Sequence, residues 1–186
     1  MRILGFSGAQ LVGRTTLVNN LSNRLNEKGY RTVVVPDTLK EVLAEWAIDY
    51  DEVIENYDLK YELYRTAVER SIKYHYEYMN SNDIDIILVD RTIFDYAVLA
   101  TIQFKIDFTM KVFSRVNIDD IYYDAIFLVA PNPDINHKYP IEHTINQWHV
   151  HRLFGELLHI SYYIPPNRPE NMVDNVLNIL IEDEIL

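Results

Sequence analysis

The chain has 186 residues, 48% of them hydrophobic, 24% charged and none of them cysteine. That length fits one domain of roughly 100–200 residues, the apolar share excludes disorder, and the lack of Cys excludes a disulfide scaffold, thiolate metal sites and a cysteine nucleophile. Seventeen basic residues against 28 acidic ones give a net charge of −11, a field that disfavours duplex nucleic acid as the main partner but leaves small phosphorylated ligands open. No apolar stretch approaches the roughly 18 residues of a membrane span. The apolar run that opens the chain is too short for a signal peptide, so the expectation is a single cytoplasmic domain over residues 1–186.

In chain order, residues 1–7 (MRILGFS) read as a short buried strand and Gly8 to Thr16 as a loop. Thr15 to about Lys28 reads as a helix with Leu17, Leu21 and Leu25 on one face, stopped by Gly29. Tyr30–Val35 is a β-branched strand ending at Pro36, and helical patterns follow from Thr38 to about Ile48 and from Asp58 to about Met79. Ile84–Val89 is a third strand, closed by Asp90, with helices expected from near Phe94 and over Lys105–Val116. Tyr123–Val129 is a fourth strand, Asn146–His159 a helix, Ser161–Ile164 a fifth strand and Glu170–Ile185 a terminal helix. Strands apolar on both faces, alternating with helices, predict an α/β domain whose five-stranded parallel sheet is covered on both sides. Ligands of such folds sit at the carboxyl ends of the strands.

Gly8-Ala9-Gln10-Leu11-Val12-Gly13-Arg14-Thr15 matches the phosphate-binding pattern G-x-x-x-x-G-K-T except that Arg14 replaces the lysine. Gly8 and Gly13 let the backbone turn its N–H groups toward phosphate oxygens, and the following helix adds its positive end. Thr15 offers a hydroxyl to Mg²⁺, and the cation at position 14 is placed to neutralise β- and γ-phosphates. Arginine keeps the charge but is a planar fork rather than a compact ammonium, and Leu11 and Val12 make the loop more apolar than usual. The alternative is a strand–loop–helix kept for packing alone.

GFSGAQLVGRTTLVNNL resembles the N-terminus of P-loop ATPase/kinase proteins common in phages and bacteria, a group similar to nicotinamide-riboside kinase domains and, more distantly, to thymidylate and deoxynucleoside kinases. The usual loop of that group reads G-A-Q-G-T-G-K-T-T-L. Gly8, Ala9, Gln10, Gly13, Thr15, Thr16 and Leu17 match it, and Leu11, Val12 and Arg14 depart. The resemblance is specific over the first 20 residues and again near Asp90. It implies a three-layer P-loop NTPase fold with a short lid (about 131–152), ATP and Mg²⁺ as cofactors, and a location in the host cytoplasm if the chain is phage-encoded. Donor contacts then fall on Gly8, Ala9, Gln10, Val12, Gly13, Arg14, Thr15 and Thr16.

Asp90-Arg91-Thr92, at the end of the third strand, looks like the D-R motif of nucleoside and nucleotide kinases. That implies Mg²⁺ or acid/base work for Asp90 beside Thr15, and acceptor contact for Arg91; the bland reading pairs Asp90 with Arg91 or makes it a helix cap. Asp37, after Pro36, occupies the place of an acidic base, with Glu41 as substitute, and either is equally well a helix-start acid. The lid of the resembled kinases supplies cations to the transferring phosphoryl group; here Arg152 is the candidate, with Lys138 and His137 beside it, against a solvated helix charge. Arg168 in the last loop is expected at an adenine site or on the surface. Tyr57, Tyr61 and Tyr64, with Tyr74, Tyr76, Tyr78 and Trp46, form either an acceptor-stacking wall or core, and a homodimer is an open expectation. Arg65 and Arg70 reach an acceptor or pair with Glu62 and Glu69. His149 and His151 lack the spacing for a metal set. The leading reading is Mg-ATP-dependent phosphoryl transfer to a small nucleoside- or nucleotide-like acceptor. The alternatives are a degenerate nucleotide-binding or protein-interaction protein and a kinase acting on a modified base in DNA.

Overall fold

The computed structural model describes residues 1–9, 12–104, 106–114, 121–132, 141–158 and 161–186. Five strands, β1 (Arg2–Ser7), β2 (Thr32–Val35), β3 (Ile86–Asp90), β4 (Ala125–Val129) and β5 (Ser161–Ile164), form one sheet in the order β2-β3-β1-β4-β5. Every pairing is parallel. The burial follows from that order. Central β3 and β4 are buried at every position and β1 at all but its first, whereas edge strands β2 and β5 are only partly covered. This is the near-continuous apolar character required of strands with a layer on each face.

Eight helices accompany the strands among the described residues, seven between strands and one after the last: α1 (Arg14–Glu27), α2 (Thr38–Trp46), α3 (Tyr50–Ile54), α4 (Tyr57–Met79), α5 (Ile93–Phe104), α6 (Ile106–Phe113), α7 (Ile141–Leu158) and α8 (Pro169–Glu182). Leu17, Val18, Leu21 and Leu25 of α1 and Val173, Val176 and Leu180 of α8 join the sheet in one core. Within it Phe6 and Phe127 stack at 5.2 Å between β1 and β4. A second core, built from α2 to α6 around Tyr64, Tyr96 and Phe108, lies beside the sheet.

Two helical expectations need correction. Residues 38–48 do not run as one helix: α2 stops at Trp46, Ala47 takes a left-handed φ of 54°, and Asp49 with Glu52 closes a capping box that starts α3. The segment expected to begin helical at Asn146 is helical from Ile141, just after Pro140, a residue favoured near first turns. The expected lid over 131–152 is therefore helix α7 from 141 onward; residues 133–140, with His137 and Lys138, lie outside the described residues.

Glycines stand at both described ends of the loop after β1. Gly8 has φ 149°, and a Cβ there would stand 2.5 Å from the Val129 carbonyl oxygen of β4. Gly13 has φ 83° as N-cap of α1, with open space around it. Gly8→Ala therefore meets both strain and a backbone clash, Gly13→Ala strain alone. The expected losses are about 2–3 kcal/mol for Gly8→Ala and about 1 kcal/mol for Gly13→Ala. Urea unfolding of the two variants beside the wild type checks that order.

Candidate functional site

The site forms where the tips of β1 and β3 lie side by side, with Phe6 paired to Asp90. β1 feeds the glycine loop, β3 ends in Asp90 and Arg91, and Asp37 comes from the N-cap of α2, just after β2. Three carboxylates and two guanidiniums meet there: Asp37, Asp90, Asp95, Arg14 and Arg91 are each no more than 4% exposed.

Arg14 is the centre of this cluster. Its Nε donates to Asp90 Oδ1 at 2.7 Å, its Nη1 to the Gly8 carbonyl at 3.1 Å and its Nη2 to Asp37 Oδ2 at 3.5 Å. Asp95 Oδ1 lies 3.8 Å from Nη1. The guanidinium thus turns back beneath the loop. Thr15 Oγ1 donates to Asp90 Oδ2 at 2.6 Å, so the hydroxyl and carboxylate expected at Mg²⁺ do come together. Burial pushes the Asp90 carboxyl up, but the Arg14 charge, the Thr15 hydrogen bond and nearby Lys40 outweigh it and hold the carboxyl below its ordinary value.

Asp37 caps no helix with its side chain. Its Oδ1 is 3.0 Å from Arg91 Nε in an ion pair not aligned as a hydrogen bond, and its Oδ2 faces Arg14 and, at 3.6 Å, Lys40 Nζ. Both oxygens are thus occupied by cations. Glu41, the alternative base, is turned to Tyr74 of α4. Arg91 takes a left-handed φ of 97°, costly for a side chain with a Cβ, and its buried Nη1 has no hydrogen-bond partner.

Asp95 plays a larger part than the sequence suggested. It is fully buried; Oδ1 accepts from the Ser7 hydroxyl at 3.0 Å and the Gly8 N–H at 3.1 Å, and Oδ2 from the N–H and hydroxyl of Thr92 at 2.8 and 2.6 Å. His151 Nε2 of α7 stands 2.9 Å from Oδ1, again off hydrogen-bond alignment. One carboxylate thereby ties together β1, the loop, the start of α5 and α7. The signal was present in the sequence: Thr92-x-x-Asp95 before an apolar run is a capping-box pattern, and the reciprocal Asp95 N–H to Thr92 Oγ1 bond at 3.3 Å closes it. The Gly8 N–H is consequently spent on Asp95 and does not face the loop interior.

The remaining candidates divide. Val12 is buried, Thr15 and Thr16 are exposed on the first turn of α1, and Gln10 and Leu11 lie outside the described residues. Arg152 is exposed and pairs with Glu156 at 2.9 Å along α7. Arg168 is the exposed N-cap of α8. Tyr61 and Tyr64 are core around Phe108, while Tyr57 is half exposed beneath Lys111. Arg65 pairs with Glu62 and Glu69, and Arg70 with Glu45 rather than either. Among the described residues no helix is long and apolar enough to cross a membrane.

A parallel sheet that carries this glycine loop on its central strand and an aspartate at the neighbouring tip is the P-loop NTPase fold. The chain belongs to the family described as AAA domain, whose pattern it matches over residues 4–163. A comparison with curated proteins returns no match. Among solved structures it is similar to a NadR protein in complex with NAD and AMP-PNP, at 18% identity and a TM-score of 0.72, over 94% of this chain and 48% of that one. It is similar also to a NadR protein in complex with NR, at 18% identity and a TM-score of 0.70, over 97% and 50%. The chain thus spans about half the length of these structures.

Two outcomes follow from the cluster. Removing the guanidinium leaves buried carboxylates uncompensated, so Arg14→Ala should destabilise the fold by about 3–5 kcal/mol; denaturant unfolding measures it. For Asp95, burial raises the carboxyl, but the contacts with His151, Arg14 and Arg91 prevail and hold it well below the usual carboxylate range. A depressed folded-state pKa contributes stability above the unfolded value, and that contribution is lost as pH falls through the folded one. Stability should therefore fall on acidification below about pH 5, and Asp95→Asn, weaker at neutral pH, should flatten that acid limb. Thermal midpoints across pH for both proteins check the slope.

Proposed function

We propose that the protein binds Mg-ATP and transfers its terminal phosphoryl group to a small nucleoside- or nucleotide-like acceptor. The observation that carries this reading is the 2.6 Å contact of the Thr15 hydroxyl with Asp90 at the mouth of a glycine loop. Two oxygen donors so placed, one neutral and one anionic, suit Mg²⁺, which takes the rest of its octahedron from water and phosphate. Bound there, the metal would supply charge neutralisation to the donor phosphates.

The chain's own residues have separable tasks in this reading. The loop and the first turn of α1 receive the donor phosphates at a helix N-terminus. Arg91, with its buried and unpartnered Nη1, faces the acceptor, and Asp37 orients the attacking hydroxyl once a cation leaves its Oδ2. Arg152, next to His151 on α7, leaves Glu156 to meet the transferring group. Likeness to proteins crystallised with AMP-PNP, NAD and NR supports a nucleotide donor and a nucleoside-like acceptor.

A second reading, a nucleotide-binding protein without transfer, is favoured by one fact: Arg14 is committed to three carboxylates. The two readings separate in a coupled ADP-release assay with ATP, Mg²⁺ and a panel of nucleosides and mononucleotides. Phosphoryl transfer gives ADP that depends on one class of acceptor and is lost in Asp90→Asn. Nucleotide binding with no acceptor-dependent ADP favours the second reading.

A further inference from the structure

A donor site of this kind needs a mobile cation at the β- and γ-phosphates, and the residue at the usual position does not provide one. Arg14 is 4% exposed, and its fork is divided among Asp90, Gly8 and Asp37. Freeing it would strand buried carboxylates, at a cost comparable to the gain from any phosphate contact.

Lys40, in the first turn of α2, has the properties that Arg14 lacks. Its side chain is 63% exposed, and its Nζ lies 3.3 Å from Thr15 Oγ1 and 3.6 Å from Asp37 Oδ2. The Thr15 hydroxyl marks where metal and phosphates meet in such loops, so an ammonium beside it is already at the donor end. Its bonds there are cheap to exchange, since the contacts are long and the stem is solvated. An ammonium is also the compact, strongly hydrated point charge that phosphate sites take from lysine.

We propose that Lys40 supplies the donor-phosphate cation in place of the residue at position 14. It moves from Asp37 Oδ2 to phosphate oxygens as nucleotide enters. The same movement opens Asp37 toward the acceptor, so that donor binding readies the acceptor side. Arg14 stays beneath the loop as a cross-link. The proposal rests on the reading of the loop as a nucleotide site.

Calorimetric titration of Mg-ATPγS and of AMP into wild type, Lys40→Ala and Lys40→Arg tests it. The expected result is a loss of ATPγS affinity of about ten- to a hundredfold in Lys40→Ala, from one charge-assisted contact. AMP affinity should be unchanged, Lys40→Arg should keep most of the ATPγS affinity, and the unliganded thermal midpoint should fall only slightly, because Asp37 keeps Arg91 and Arg14. Equal ATPγS binding by wild type and Lys40→Ala overturns the Lys40 assignment and leaves the nucleotide site standing. Equal loss of ATPγS and AMP together with a lowered midpoint also overturns it, since the role is then structural. A wild type silent toward millimolar nucleotide overturns both the assignment and the site.

Discussion

The local architecture depends on how three buried aspartates are neutralised. Asp37, Asp90 and Asp95 come from the starts of α2 and α5 and the tip of β3, and burying any one of them unpaired would cost several kcal/mol. Arg14 and Arg91 supply two charges among them, His151 touches Asp95, and Lys40 reaches Asp37 from the surface. The loop is held from behind by this cluster: its first amide is bonded to Asp95 and its first carbonyl to Arg14. Glycine permits the backbone turn at position 8, and Asp95 and Arg14 hold it there.

Much of the frame was legible beforehand because its signals are local. The five strands are apolar runs bounded by Gly, Pro or Asp, and each lies within two residues of its expected position at the start and one at the end. The loop was legible for the same reason, its spacing being a backbone requirement. Helix breaks were harder, since Ala47 adopts a left-handed φ that no residue type announces, while the Asp49–Glu52 box that restarts the chain was readable.

The site was legible as a list of residues more than as an arrangement. Asp37, Asp90, Arg91, Arg14 and Thr15 do converge, because they end adjacent strands or begin the helices that follow. Which way Arg14 points is a tertiary matter, decided by acids 23, 76 and 81 residues distant in sequence. Nor does periodicity show that His151, ten residues into α7, reaches Asp95. The tyrosine series illustrates the same limit: Tyr57, Tyr61 and Tyr64 share a face by spacing, but only the second core around Phe108 makes two of them interior.

The substitution at position 14 then has a physical account. Arginine's five donors lie in one rigid plane, so one side chain can meet acceptors in three directions. Here it does so, toward Asp90, Gly8 and Asp37. A lysine carries its three donors on a single atom, a point charge without the planar reach of the fork. With three acids converging beneath the loop, the fork suits the cross-link and the ammonium does not. A phosphate site has the opposite need: a cation able to leave its resting partner as charge arrives and departs. Buried permanence and exposed mobility cannot be had from one side chain. In the proposed assignment both needs are met, with arginine kept inside and a lysine, 63% exposed, at the mouth.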